Sequence, residues 1–208
     1  MASSPPSKKQ RTDESTKYTL LYHAGIPGRG EPIRLAFEAT STPYLDLAKT
    51  KEASTVYSFL GDKPDLEALD GNTPPFAPPI LKVAGAGKNG KDLVISQTAN
   101  ILSYLGSKLD LAGSDEADRY HVHQLALTAL DLLNEAHDTH HPVAVNDFYE
   151  QQKEEALKKS ADFRKTRIPK FLGYFDRALK ANEDGQGKYL VGGRLTYADL
   201  VLWQVLDG

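Results

Sequence analysis

Strand signals and helix signals occupy different parts of this chain, and the change falls near residue 109. Before it, short runs of β-branched and aromatic residues alternate with amphipathic segments. After it, the apolar residues recur almost entirely at helical spacing. The pattern predicts an α/β domain over residues 18–108, a linker at 109–114 and an all-helical domain over 115–208, preceded by a disordered tail at 1–17.

The first domain is predicted to begin with a βαβ unit. Residues 18–23 favour a strand, and a glycine-rich turn follows it. Pro32 suits the first turn of a helix, and Pro43 marks where that helix ends. Residues 44–47 favour a second strand, which should lie parallel to the first because a helix connects the two.

A hairpin and a helix are predicted to complete this domain. Residues 80–83 and 93–95 are short apolar runs on either side of a glycine-rich turn, which is typical of a β-hairpin. A helix should follow over residues 98–108. The segment 48–73 has a mixed pattern that predicts only a short helix, so the order of elements is βαβαββα.

The second domain is predicted to consist of helices. A long amphipathic helix should end by Pro142, and a charged helix should start near Asp147 and be interrupted at Pro169. Thr196 and Asp199 have the spacing of a capping box, in which each side chain satisfies a backbone amide at the start of a helix.

Composition and charge narrow the classes of function. The 208 residues include 25 Lys and Arg against 28 Asp and Glu, so the net charge of −3 provides no positive field for nucleic acid. No apolar run approaches the roughly 18 residues of a membrane span, and residues 1–17 lack the apolar stretch of a secretory signal. We therefore expect a cytoplasmic protein that binds neither nucleic acid nor membrane.

Cysteine is absent from the chain, which excludes disulfides, thiolate–metal sites and a cysteine nucleophile. Any sulfur chemistry must therefore use a thiol that arrives with a ligand. In the tail, residues 6–11 loosely fit a basic nuclear-import signal, although ordinary solvation of three cations is the interpretation we favour.

Two motifs suggest chemistry that their surroundings do not support. The sequence GAGKNGK at residues 85–91 has the spacing of a phosphate-binding loop, but that chemistry needs a helix next and a strand is predicted instead. His137, His140 and His141 suggest a metal site, with His137 and His141 one helical turn apart, but a third ligand is not evident. We predict that residues 85–91 form a hairpin turn and that the three histidines belong to a polar helix face that binds no metal.

Tyr22 and Arg29 form the remaining candidate site. Tyr22 falls where the first strand ends, and Arg29 lies in the turn before the first helix. Positive charge and a helix N-terminus stabilise an anion such as a thiolate or a carboxylate. A buried core tyrosine is the alternative that these residues alone leave open. Alternation along the strand predicts that His23 points to the opposite side.

Four segments together resemble the cytosolic glutathione transferases, particularly the tyrosine classes such as sigma, pi, alpha and mu. They are LLYHAGIPGRGEPIRLAFE (20–38), PPILKV (78–83), ISQTANILSYLGSKLDL (95–111) and VGGRLTYADLVLW (191–203). The resemblance covers about residues 17–208. It implies a thioredoxin-like N-terminal domain, an all-helical C-terminal domain and a homodimer, in agreement with the predicted element order.

The resemblance also implies roles for individual residues. Tyr22 occupies the position of the catalytic tyrosine. Pro79 matches a cis-proline before the third strand, which exposes the backbone of Pro78 to glutathione. Gln97 and Thr98 match the pair that holds the γ-glutamyl group, whose α-carboxylate suits a hydroxyl and a helix N-terminus.

Further expectations from the resemblance concern the partner subunit and the chain end. Phe76 lies about where the family places an aromatic key for the partner, and Asp131 matches an acid supplied to the partner's site. The residues that bind the glycyl carboxylate, expected within 48–73, cannot be located. Family members usually continue past the helix that starts after Thr196, so we expect a chain truncated at Gly208, with the apolar face of that helix left in water.

The function implied is a transferase that adds the thiol of glutathione to small apolar electrophiles. A thiol with a pKa of ~8.5 is only a few per cent ionised at neutral pH, and Tyr22 and Arg29 would favour the thiolate. Glutathione is then a co-substrate, and no metal or prosthetic group is required. The alternatives are a glutathione-dependent isomerase or peroxidase, or a non-catalytic ligand-binding protein on the same fold.

Overall fold

A computed structural model describes residues 16–60 and 69–207. The predicted tail therefore lies outside the described residues except at its last two positions, as do Gly208 and the middle of the segment 48–73. The strands are β1 (Tyr18–Leu21), β2 (Leu45–Asp46), β3 (Ile80–Val83) and β4 (Leu93–Ser96). The helices are α1 (Glu31–Ala39), α2 (Thr98–Leu109), α3 (Glu116–His137), α4 (Lys153–Asp162), α5 (Ile168–Ala181) and α6 (Tyr197–Asp207).

The described chain divides into two compact units. The first unit contains residues 16–27, 41–60 and 69–97, which include all four strands. The second contains residues 28–40 and 98–207, so α1 and α2 group with the helices that follow them. The linker predicted at residues 109–114 stays a prediction.

The first unit is built on a mixed four-stranded sheet with the order β2-β1-β3-β4. β1 and β2 are parallel, as the predicted βαβ unit requires. β3 is antiparallel to both of its neighbours, β1 and β4. One face of the sheet is covered by a buried apolar cluster. Its members are Leu21, Leu47, Val56, Phe59, Leu69, Ile80 and Val94.

The glycine-rich turn between β3 and β4 closes a hairpin, as predicted. Asp92 holds the turn, because its Oδ1 accepts a hydrogen bond from the Gly85 amide at 3.0 Å and its Oδ2 pairs with Lys82 at 2.9 Å. These two contacts lower the pKa of Asp92. At Gly87 a β-carbon would lie 2.6 Å from the Asp92 carbonyl oxygen, so this position requires glycine.

The second unit is helical, and α3 is amphipathic, with Val122, Ala126 and Ala129 among its buried residues. α3 ends at His137, five residues before Pro142. The charged helix begins at Lys153 and continues into α5 through a π-helical turn (Phe163–Arg167). Pro169 follows the π turn by two residues and has no amide to donate, so the predicted interruption takes the form of a π turn within a continuous helix.

α6 starts against the interior of this unit. Tyr197 is buried, and its amide donates to the Leu111 carbonyl at 2.9 Å. Its ring lies so close to Gly106 that a β-carbon there would meet it at 2.7 Å. Burial raises the pKa of Tyr197 to about 12. Residues 189–191, a short run of strand-forming residues, form no strand.

The acidic half of the capping box at the start of α6 is confirmed, because the Asp199 carboxylate caps the Thr196 amide. Asp199 Oδ2 accepts hydrogen bonds from the Thr196 amide at 2.8 Å and from its hydroxyl at 2.7 Å. Along α6, Leu200 and Val201 are buried and Trp203 and Leu206 are exposed, so the expected apolar face is open only in part. Within residues 16–60 and 69–207, every helix is too short or too polar to cross a membrane.

Candidate active site

The register of the sheet gathers three predicted site residues at one end of it. Leu21 pairs with Ile80, and Ile80 pairs with Ser96. Continuing each strand by one residue brings Tyr22, Pro79 and Gln97 to the same end of the sheet. Their positions follow from backbone pairing, because an antiparallel register fixes which residues lie opposite each other.

Tyr22 directly follows β1 and is only 5% exposed. Its ring centroid lies 5.2 Å from that of His23, with the planes tilted by 58°. The prediction that His23 points to the opposite side of the strand is therefore wrong. Alternation applies only inside a strand, and β1 ends at Leu21, before either ring.

The Pro78–Pro79 peptide bond is cis, as predicted. Pro79 directly precedes β3 and is buried, and Pro78 before it is partly buried. Gln97 lies between β4 and α2 with a φ of +72°, a backbone conformation that residues other than glycine seldom adopt. The strained position therefore falls on a residue already predicted for the site.

Thr98 and Arg29 meet in the helical unit. Thr98 opens α2 and is buried, and its hydroxyl donates a hydrogen bond to the Arg29 carbonyl oxygen at 2.9 Å. The Arg29 guanidinium donates through Nη2 to Asn134 Oδ1 on α3 at 2.7 Å. Sequence reasoning did not find Asn134, because 105 residues separate the partners and neither belongs to a recognisable spacing.

The helical unit also contains a charged cavity of about 570 Å³ between α3 and α5. Arg167 pairs there with Glu135 through two hydrogen bonds of 2.6 and 2.7 Å, which lower the pKa of the Glu135 carboxyl. Asp131 lines the same cavity. None of the six residues predicted for the active site lines this cavity.

The histidine cluster lies at the end of α3. The rings of His137 and His141 stack with centroids 5.0 Å apart, although His141 lies beyond the helix end. The Nδ1 of His141 lies 3.1 Å from the Asp147 carbonyl oxygen. In the part of the chain that the structure describes, no three His, Cys, Asp or Glu residues are placed to hold a metal ion together.

Comparison with known proteins finds glutathione S-transferases. The model of the glutathione S-transferase C-terminal domain matches residues 137–208. A glutathione S-transferase of Plasmodium falciparum is 25% identical over 191 residues, which are 90% of this chain and 78% of that protein. Glutathione S-transferase alpha-3 of Rattus norvegicus is 30% identical over 189 residues, which are 90% of this chain and 72% of that protein.

The fold is found among solved structures as well. The glutathione S-transferase of Ascaris lumbricoides superposes with a TM-score of 0.61 at 25% identity, covering 92% of this chain and 80% of that one. The fold class is accordingly a thioredoxin-like α/β part followed by a helical part, as predicted. The chain belongs to the glutathione S-transferase family. It is an enzyme that conjugates glutathione, which serves as its co-substrate.

Proposed function

We propose that Tyr22 activates glutathione by donating its hydroxyl hydrogen bond to the thiolate. What carries the proposal is the convergence of Tyr22, Pro79 and Gln97 at one end of the sheet. A site for a peptide thiol needs a donor for sulfur and a backbone edge for the cysteinyl amide, and this end of the sheet offers both. Arg29 is proposed as a source of positive charge for the bound anion.

A hydrogen bond from Tyr22 can supply the free energy that is needed to lower the pKa of the glutathione thiol. Lowering a thiol pKa from ~8.5 by about two units needs ~2.7 kcal/mol. One hydrogen bond to a charged group contributes about 1.5 to 3 kcal/mol, and a helix N-terminus or a cation adds to it. The thiolate then attacks the electrophile, forming a carbon–sulfur bond as the leaving group departs with its electron pair. Small apolar electrophiles are the substrates that we propose.

The γ-glutamyl group is proposed to bind at Gln97 and Thr98. Amides in the first turn of an α-helix have no partner within the helix, so the start of α2 suits an α-carboxylate. The Thr98 hydroxyl, which donates to the Arg29 carbonyl in this structure, would turn to the carboxylate when glutathione binds. Pro78 offers its backbone beside Pro79 to the cysteinyl residue.

Thr98→Ala is expected to weaken glutathione binding by about 1 to 3 kcal/mol, because a charge-assisted hydrogen bond is lost. Retention on immobilised glutathione and titration calorimetry measure the effect. Thr98→Ser keeps the hydroxyl and serves as the matched control. Equal affinity of Thr98→Ala and the unchanged chain would place the γ-glutamyl group elsewhere.

The reaction type is tested separately with a chromogenic aryl halide. Conjugation of the halide at a rate that saturates with glutathione supports the transferase reaction. Assays with hydroperoxides and isomerisable substrates test the peroxidase and isomerase alternatives. Binding of apolar ligands without turnover of any of these substrates would favour a non-catalytic ligand-binding protein. A cytoplasmic location is also part of the proposal, since the resemblance is to the cytosolic glutathione transferases.

A homodimer is the assembly that we propose. Its support is Phe76, whose side chain is 93% exposed at the position where the resemblance expects an aromatic key. An aromatic side chain left in water is costly, and a pocket on a second copy would remove that cost.

Phe76→Ser is expected to raise the dimer dissociation constant at least about 10-fold in analytical ultracentrifugation. Val145→Ser, at another exposed apolar side chain, should leave it unchanged. Dimers of equal strength in both variants would refute the role of Phe76.

A further inference from the structure

Three rings form a continuous row that begins at Tyr22. His23 lies 5.2 Å from Tyr22 between ring centroids, and Tyr57 lies 6.3 Å from His23 with the planes tilted by 43°. Both separations fall in the range where aromatic rings attract each other. The row runs from the buried Tyr22 through the partly buried His23 to Tyr57, which is 61% exposed.

Tyr22 lies where the chain leaves the sheet. The β1–β3 pairing ends at Leu21 and Ile80, so Tyr22 lies one residue past the last paired position. Three residues later Gly25 adopts a φ of +81° as the chain turns away. Because Tyr22 is only 5% exposed, the direction of its phenol depends on the side chains packed around it, and His23 is one of them.

We infer that His23 is a positioning residue, whose ring holds the Tyr22 phenol in the direction that serves the glutathione sulfur. The inference rests on the proposed role of Tyr22. The tyrosine hydroxyl is at the far end of a long side chain, so a small rotation moves it by a large distance. A displacement of about 1 Å at a reacting group can lower a rate by up to about 100-fold. The ring of Tyr57 packs against that of His23 and limits its movement in turn.

The test begins with two substitutions at His23. His23→Ala removes the ring, and we expect kcat to fall about 10-fold, while the dissociation constant of glutathione changes less than about 2-fold. His23→Phe replaces one flat ring by another and should recover kcat to within about 3-fold of the unchanged chain. Recovery by phenylalanine separates ring packing from any chemistry of the imidazole. His121→Ala, at an exposed histidine on α3, is the control and should change nothing.

A double-mutant cycle then asks whether His23 acts through Tyr22. In the Tyr22→Phe background there is no hydroxyl to misplace, so adding His23→Ala should lower kcat less than about 2-fold further. Tyr57→Ala, which removes only an exposed ring, should lower kcat in the same direction but less, and it serves if His23→Ala does not fold. Circular dichroism of every variant checks the fold.

The outcomes distinguish a failure of the inference about His23 from a failure of the proposed role of Tyr22. If Tyr22→Phe is slow but His23→Ala and Tyr57→Ala are as fast as the unchanged chain, the inference about His23 is wrong and the proposed role of Tyr22 stands. If His23→Ala lowers kcat equally with and without the Tyr22 hydroxyl, His23 acts independently of Tyr22 and the inference is again wrong. If Tyr22→Phe itself retains full turnover, the proposed function fails first.

Discussion

Tyr22→Phe will lower the turnover of glutathione conjugation by roughly 10- to 100-fold and leave glutathione affinity nearly unchanged. The substitution removes one hydroxyl and keeps the buried ring. The lost hydrogen bond acts mainly on the thiolate, so it changes the reacting group more than the binding of the rest of the peptide. An effect on kcat without an effect on affinity therefore indicates a donor to sulfur.

A direct measurement of the pKa of the bound thiol separates this mechanism from a general loss of structure. The ultraviolet absorbance of bound thiolate, followed over pH, gives the pKa of the glutathione thiol on the enzyme. We expect that pKa to rise by about one to two units in Tyr22→Phe, towards the ~8.5 of a free thiol. Tyr18→Phe, at a buried tyrosine inside β1, is the matched control. An unchanged thiol pKa together with full turnover would refute Tyr22 as the activator and direct attention to Arg29.

Local rules predicted the elements that local interactions create. The parallel pairing of β1 with β2 followed from a helical connection, and the hairpin followed from glycines flanked by apolar runs. The capping box was found for the same reason, since Thr196 and Asp199 are three residues apart and bond directly. Each of these features depends on neighbours in sequence.

Features that depend on distant parts of the chain were missed or mistaken. The π turn before α5 arises where the helix accommodates Pro169, and the sequence indicated only that something must change there. His23 was expected on the wrong side because the end of β1 is set by its pairing with β3. For the same reason, the convergence of Tyr22 and Gln97 became visible only when the register was known.

Asp199→Ala is expected to lower the free energy of unfolding by about 3 to 5 kcal/mol, the largest effect on stability that we predict. The carboxylate accepts three hydrogen bonds, from the Thr196 amide, the Thr196 hydroxyl and the Leu190 amide. Thr196 is fully buried, so its amide would be left without an acceptor away from water. Losing a helix cap alone costs about 0.5 to 2 kcal/mol, and buried donors without partners cost about 1 to 3 kcal/mol more.

The fluorescence of Trp203 can measure the loss of stability in Asp199→Ala at α6 itself. It is the single tryptophan of the chain and lies on α6, one turn beyond Asp199, so its fluorescence during urea denaturation reports on this helix.

Asp176→Ala is the control, because Asp176 pairs with Lys180 on an exposed helix surface where such pairs contribute little. Asp199→Asn should lie between the two, since its amide keeps one acceptor but turns a donor towards another donor. If the urea midpoint of Asp199→Ala equals that of Asp176→Ala, α6 is held by the packing of Tyr197 and Val201 rather than by its cap.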